Sequence, residues 1–340
     1  MDLLRHATLS RRAVLAAAAV VPLASCVDRS AQDPAQNPGG SAAKPAPPSS
    51  GSPSADEPSP SPDTPAEYAE RAAQLAGDDP VLLALIEAMA DGWLPPSAPD
   101  PDPTRVFDDV TMVGTDFVSA AALETSDGVI LIDALESRDQ AENILVPGLR
   151  RLGVDPARIR YVVVAHGHAD HFGGARYVAD RYGARVLMSP ADWDLVAADD
   201  SPDAPERDLE ITDGQRLTLG RTTVRLPYTP GHTPGTVSPI FPVSWKGRRH
   251  TAMLWGGTGM PEAASGKRDY VRSVVRYAAL MRRSRVDVEL NNHAQSDGGL
   301  ERLRQVREGS GDRNPFVLGR AGTQRFMQVL ELMARSRLGA

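Results

Sequence analysis

The chain has 340 residues, 24% of them charged and 41% hydrophobic, a balance ordinary for a globular protein. Its formal net charge of -7 argues against a partner held through nucleic-acid phosphates, which would favour a basic face. Its single cysteine, Cys26, excludes a disulfide within one chain.

The N-terminus reads as a targeting segment. Arg5, Arg11 and Arg12 precede an apolar run from Ala13 to Ala24, too short for a membrane-spanning helix. Ser10-Arg11-Arg12-Ala13-Val14-Leu15 resembles the twin-arginine signal, which exports proteins already folded. Leu23-Ala24-Ser25-Cys26 resembles a lipoprotein processing site, at which Cys26 becomes the lipidated first residue. Residues 1–25 are therefore expected to be a signal peptide. The mature protein is expected to be tethered to the outer side of the cytoplasmic membrane, or, under an ordinary secretory signal, secreted or periplasmic. Residues 26–65 are Pro, Ser, Ala, Gly and Asp with almost no large apolar side chain, which predicts a disordered, extended linker.

Residues 66–103 form a predicted helical extension. Leu75, Leu82, Leu83, Leu85, Ile86 and Met89 make an apolar side over 66–90, and prolines between 95 and 103 end it. The main domain is expected over 104–340. Strand-like runs cover 106–113, 117–125 and 129–133, the last two joined at Ser126-Asp127-Gly128. A helix over 140–152 leads to a strand over 160–165. Helix 172–182, strand 185–188 and a helix capped by Ser189-Pro190 follow. The second half predicts strands at 216–219, 222–228, 236–243, 249–255 and 286–290, with helices over 267–285, 299–308 and 321–337. Strands and helices alternating in two halves predict an α/β (α+β) chain with two sheets face to face and helices outside.

The chemistry concentrates at Tyr161–Gly174. The apolar run Tyr161–Ala165 has the length and β-branched content of a buried strand, and it stops at His166-Gly167-His168-Ala169-Asp170-His171. Extended backbone points His166 and His168 the same way, and Asp170 and His171 sit where a helix begins. Nitrogen and oxygen donors crowded at one strand end point to a pair of transition-metal ions. Of the seven histidines, His232 and His293 also follow predicted strands, while His250 lies inside a strand beside arginines and is expected to face solvent.

His166–His171 followed by Gly173-Gly174 resembles the HxHxDH signature of the metallo-β-lactamase superfamily. Thr229-Pro230-Gly231-His232-Thr233 resembles that superfamily's second histidine loop, and Asn292-His293 its last. The resemblance covers about residues 104–320 and implies an αββα four-layer sandwich binding two Zn2+. One zinc would be held by His166, His168 and His232, the other by Asp170, His171 and His293. Many hydrolases of this fold carry a bridging aspartate where this chain reads Gly256-Gly257-Thr258, and other subgroups use a cysteine there. Having neither, while keeping His171, resembles the subclass B3 β-lactamases, and implies that Thr258 is a hydroxyl residue near the reactive water or a turn residue. The implied reaction is hydrolysis of a β-lactam or similar cyclic amide by hydroxide generated at the zinc pair, with Asp170 orienting the water and shuttling its proton. The alternatives are a hydrolase of the same site acting on a lactone or other ester, and a zinc-binding envelope lipoprotein without turnover. The partner is a small molecule; membrane contact is expected only through Cys26. Replacing Cys26 with serine should release the exported protein from the membrane fraction. A Cys26→Ser protein that stays membrane-bound after export contradicts the anchor.

Overall fold

In the computed structural model, residues 64–90, 97–309 and 311–338 are described. The expected signal peptide, Cys26 and all but the last two residues of the expected linker lie outside them. Within Pro60–Ala340 the chain is one unit. Among the described residues no helix is long and apolar enough to cross a membrane.

The apolar runs read from the sequence become two sheets. The first holds seven strands in chain order: β1 (Thr104–Phe107), β2 (Val110–Gly114), β3 (Ser119–Thr125), β4 (Gly128–Ile132), β5 (Ile159–Val163), β6 (Arg185–Met188) and β7 (Leu209–Glu210). It is antiparallel as far as β4 and parallel from β4 to β7. The second runs in the order β12 (Val288–Asn291), β11 (Arg248–Trp255), β10 (Ile240–Trp245), β9 (Thr222–Leu226), β8 (Gln215–Leu219), with only the β11–β12 pair parallel.

Alternation of side chains along the strands gives each sheet two buried faces. Ile130, Ile132, Val163 and Leu187 meet Leu226, Phe241, Leu254 and Leu290 between the sheets. The opposite face of the first sheet presents Leu131, Val162 and Val164 to Leu145, Leu149, Phe172, Val178 and Trp193. The opposite face of the second presents Met253 and Trp255 to Val274 and Tyr277 of α8 (Ala264–Ser284) and to Phe326 and Leu330 of α10 (Gly319–Ser336). The expected αββα sandwich is the observed one. The N-terminal helices α1 (Pro65–Ala76) and α2 (Pro80–Ala88) join this outer layer through Ala72, Ala76, Leu82 and Leu85. Leu83, placed on the apolar side by the sequence reading, is exposed instead.

Other expectations change in detail. The run 106–113 is two strands, because Asp108 and Asp109 turn the chain and their carboxylates accept backbone N–H groups of Ser244, Lys246 and Gly247. The helix expected at 140–152 is α3 (Arg138–Gln140), a π turn at Ala141–Leu145 and α4 (Val146–Arg151). The helix expected from 172 is broken into α5 (Ala169–Phe172) and α6 (Ala175–Tyr182) at Gly173-Gly174. A Cβ at either glycine would stand 2.0 Å from the Glu136 carbonyl oxygen or 2.2 Å from that of Ala134, so only glycine lets this turn approach the loop after β4. Ser189 caps α7 (Pro190–Ala198) as expected, accepting from the Asp192 N–H at 3.3 Å. The two-residue β7 carried too little pattern to be foreseen.

The loops beyond β4, β5, β11 and β12 meet at one rim. Two backbone hydrogen bonds lock the sheets together there: Val237 N–H to the Ala165 oxygen at 2.8 Å, and Ser119 N–H to the Asn292 oxygen at 2.8 Å. Beneath that rim Arg302 of α9 (Gly299–Glu308) is buried between Glu289 at 2.8 Å and Asp297 at 2.5 Å, and lies over the Phe316 ring. This ion cluster fixes β12 against the 3-10 turn at Ala294–Asp297 that follows His293.

Candidate metal centre

The rim gathers all six donors expected from the sequence. His166 and His168 follow β5, Asp170 and His171 lie in α5, His232 in the loop after β9, and His293 just beyond β12. The Nε2 atoms of His166 and His232 are 3.1 Å apart, and His168 packs its ring 4.8 Å from each of theirs. In a second group Asp170 Oδ2 lies 3.2 Å from His171 Nε2 and 3.4 Å from His293 Nε2, and those two nitrogens are 3.1 Å apart. The groups adjoin, for the rings of His166 and His171 have centroids 3.9 Å apart. The donor atoms of His166, Asp170 and His171 also fall within 4.8 Å of one another.

The outer nitrogens explain this convergence. His166 Nδ1 meets the Gly256 oxygen at 2.7 Å, His232 Nδ1 the Gly259 oxygen at 2.7 Å, and His293 Nδ1 the Phe117 oxygen at 2.9 Å. A carbonyl oxygen only accepts, so each Nδ1 carries the proton and each Nε2 is left with its lone pair. His166 and His232 then face each other lone pair to lone pair at 3.1 Å, which is repulsive unless a cation lies between. Tetrahedral ligands at about 2.0–2.1 Å from zinc stand roughly 3.3 Å from one another, close to the spacing in both groups. The donor set is nitrogen and oxygen only, which suits zinc, and pinning the far nitrogens of His166, His232 and His293 fixes those rings for such a role.

His171 is held differently. Its Nδ1 lies 2.8 Å from Oδ2 of Asp133, a fully buried carboxylate. Asp133 also accepts the Ala165 N–H at 2.7 Å and the Asn292 side-chain N–H at 3.0 Å, and its backbone adopts φ 61°. Burial would lower the affinity of His171 for a proton, but Asp133 and Asp170 outweigh it and raise the pKa to about 10. Burial likewise pushes Asp170 upward, and His171, His293 and His168 overcome it and hold the carboxyl below its usual range. Burial keeps the other rings neutral: His232 falls to about 3, His293 to about 4, and His166 and His168 also shift downward. The two carboxylates beside His171 therefore favour its protonated ring, and a cation bound at its Nε2 would displace that proton.

Asp192, buried at the start of α7, ties the two histidine loops together. It accepts N–H groups from Gly167 and Gly235, both at 2.9 Å, and the Thr233 hydroxyl at 2.7 Å. The sequence reading passed over Asp133, Asp192 and Asn291, and gave Asn292 no role beyond its place beside His293, since single polar residues at strand ends or in a first helical turn look like caps. An acid closing the apolar run 129–132 was the one available signal for Asp133.

Gly256-Gly257 explains why no acid stands there. A Cβ on Gly256 would lie 2.0 Å from the Val237 oxygen, and one on Gly257 2.6 Å from Cβ of His232. Thr258 is buried, accepts the Asn291 side-chain N–H at 3.1 Å, and receives the Tyr270 hydroxyl on its carbonyl at 2.9 Å. His250 is not turned to solvent as expected; its Nδ1 meets Asp287 Oδ2 at 2.8 Å and its side chain is 16% exposed.

Above the donors opens a cavity of about 560 Å³. His168, Asp170, His232 and His293 floor it; Met89, Phe117 and Met260 give an apolar flank, and Thr258, Gln295 and Ser296 polar groups.

Residues 113–244 match the family described as the metallo-beta-lactamase superfamily. A metallo-beta-lactamase of Cronobacter sakazakii is 30% identical, with 71% of this chain and 93% of that one covered and a TM-score of 0.58. A subclass B3 metallo-beta-lactamase of Bradyrhizobium japonicum shares the fold at 24% identity, covering 70% of this chain and 91% of its own, with a TM-score of 0.57. A hydroxyacylglutathione hydrolase of Anaeromyxobacter dehalogenans is 36% identical over 104 residues, 30% of this chain and only 36% of that protein's length.

Asp133→Asn should weaken zinc affinity by roughly 10- to 100-fold, since the residue orients a ring rather than contributing a donor. Competition with a chromophoric chelator measures this. Unchanged affinity in a folded variant would show that the carboxylate does not set His171.

Proposed function

Because this chain belongs to the metallo-beta-lactamase superfamily, and so is a metal-dependent hydrolase of small molecules, we propose that it opens a β-lactam or similar cyclic amide. His166, His168 and His232 would hold one zinc ion, and Asp170, His171 and His293 a second. The observation that carries the reading is the ligand pattern: histidine and aspartate only, with glycines packed where other members place an acid or a cysteine. The structural likeness to metallo-beta-lactamases supports it.

Bound zinc would supply Lewis acidity and lower the pKa of a water toward about 7. The chain's own residues do the rest. Asp170 faces the cavity as a carboxylate, where it orients the attacking water and accepts its proton. The carbonyls of Gly256, Gly259 and Phe117 keep the histidine rings from turning during the reaction. Met89, Phe117 and Met260 provide an apolar wall against which a ring system can lie, and a cavity of this size suits a ligand of drug-like dimensions. The resemblance of residues 10–15 to a twin-arginine signal and of residues 23–26 to a lipoprotein processing site supports a workplace outside the cytoplasmic membrane, on a tether at Cys26.

A lactone or other ester is the second reading. The stretch shared with the hydroxyacylglutathione hydrolases favours it, because a zinc site serves any electrophilic carbonyl.

Zinc-loaded protein should bind about two zinc ions per chain and open nitrocefin or a carbapenem, and His168→Ala should lose both metal and at least about 100-fold in rate. Turnover of lactones or thioesters without β-lactams would move the assignment to the second reading. Tight zinc with no hydrolysis in the whole screen would leave a zinc-binding lipoprotein.

A further inference from the structure

We infer that a second cleft, at the end of the sandwich away from the metal centre, binds an organic phosphate monoester. Such a site is independent of which bond the metal centre cuts.

The cleft encloses about 730 Å³, more than the 560 Å³ above the metal donors. Strand β11 spans the distance between the two places. Arg248 and His250 lie near its start, and Gly256, whose oxygen holds His166, follows its end. At about 3.3 Å per residue, His250 and Gly256 are about 20 Å apart.

Cross-strand register builds one side of the cleft. Trp245 pairs with Arg248 and Val243 with His250, and side chains two apart along a strand share a face. Trp245, Arg248 and His250 therefore point to the same side of the sheet. The segment 312–319 supplies the rest of the lining, with Arg313, Pro315 and Val317. Lys246, in the turn between β10 and β11, ties that segment to the sheet. It adopts φ 49°, uncommon for a lysine, and its ammonium meets the Gly311 oxygen at 2.6 Å and Asp312 at 3.4 Å.

The guanidinium groups of Arg248 and Arg313 are exposed in this lining and make no hydrogen bond or ion pair among the described residues. Acids nearby are already engaged: Asp312 by Lys246, Asp287 by His250 and Glu308 by Arg304. His250 Nδ1 lies 2.8 Å from Asp287 Oδ2, and a carboxylate accepts, so Nδ1 carries the proton and the neutral ring offers Nε2 as an acceptor. That Nε2 has no partner among the described residues, and the side chain is partly exposed where it lines the cleft.

Two guanidinium forks call for an oxyanion, and the imidazole nitrogen calls for a donor. At neutral pH a carboxylate only accepts, and so does a sulfate ester, so each meets the first demand alone. A phosphate monoester loses its second proton near pH 6. It can accept from both arginines and also donate to Nε2, or accept from it when the ring is charged. The Trp245 ring with Pro315 and Val317 gives an apolar surface for the organic body of the ester, and the volume suits a small molecule.

The test uses the full chain, zinc-loaded and 15N-labelled, and follows the Trp245 indole N–H signal, assigned by its loss in Trp245→Phe. This reporter is about 20 Å from the metal centre, so a phosphate ester bound at zinc leaves it unmoved. Phenyl phosphate should shift the signal saturably. Arg248→Gln and Arg313→Gln should each weaken that binding by roughly 10-fold, with zinc content and hydrolysis unchanged. Phenylacetate and inorganic phosphate should each bind at least about 10-fold more weakly than phenyl phosphate. Competition with phosphatidylcholine vesicles, with and without phosphatidic acid, tells a lipid-borne monoester from a soluble one; displacement only by the acidic vesicles or by neither is consistent with the site. No shift with phenyl phosphate, or binding that survives both arginine substitutions, overturns the inference. Equal binding of phenylacetate overturns the choice of a phosphate, and equal binding of inorganic phosphate overturns the role given to the apolar surface.

Discussion

The arrangement of this site depends on one buried carboxylate. Asp133 ends β4 in a left-handed backbone conformation and receives hydrogen bonds from the β5 end at Ala165, from His171 and from Asn292 beyond β12. It thereby joins both sheets at the rim and aims His171, whose far nitrogen is held by a carboxylate rather than by a backbone carbonyl. A buried ion is tolerable only when so fully paired, and loss of any partner would leave charge or an N–H stranded in a low-dielectric interior.

The same logic extends to the other rings. Gly256, Gly259 and Phe117 contribute carbonyls, so the orientation of His166, His232 and His293 is a direct consequence of how strands β11 and β3 and their loops pack. Asp192 does for the loops what Asp133 does for the strands. The cation site is thus preorganised by main-chain geometry, while burial keeps four rings neutral and ready to give lone pairs. A divalent cation would sit between the facing lone pairs of His166 and His232 and would replace the proton that Asp133 and Asp170 favour on His171.

Much of this was legible in the sequence, for identifiable reasons. Donor spacing within 166–171 is local, so extended backbone followed by a helical start already converges those side chains. His232 and His293 were reached through their loops' resemblance to a family rather than through spacing, since convergence across about 60 residues or more depends on sheet order. The two-sheet architecture followed from runs of apolar strands, but the split at Asp108-Asp109 was hidden because two acids in a β-branched run look like a polar face. Asp133 and Asp192 escaped altogether. Their significance lies in being buried, and burial of a single polar residue has no sequence signature when it sits at a strand end or in a helical turn. The glycines at 256 and 257 were read correctly as an absence of acid; that His232 and Val237 occupy the space is visible only in three dimensions.

The account's central claim is that two adjoining donor triads each hold a cation. Anomalous diffraction at the zinc absorption edge from crystals of the zinc-loaded protein tests it most directly. Two peaks are expected, one within about 2.0–2.2 Å of donor atoms of His166, His168 and His232 and the other at like distances from Asp170, His171 and His293. A single peak shared among His166, Asp170 and His171, or no peak at the rim, would contradict it.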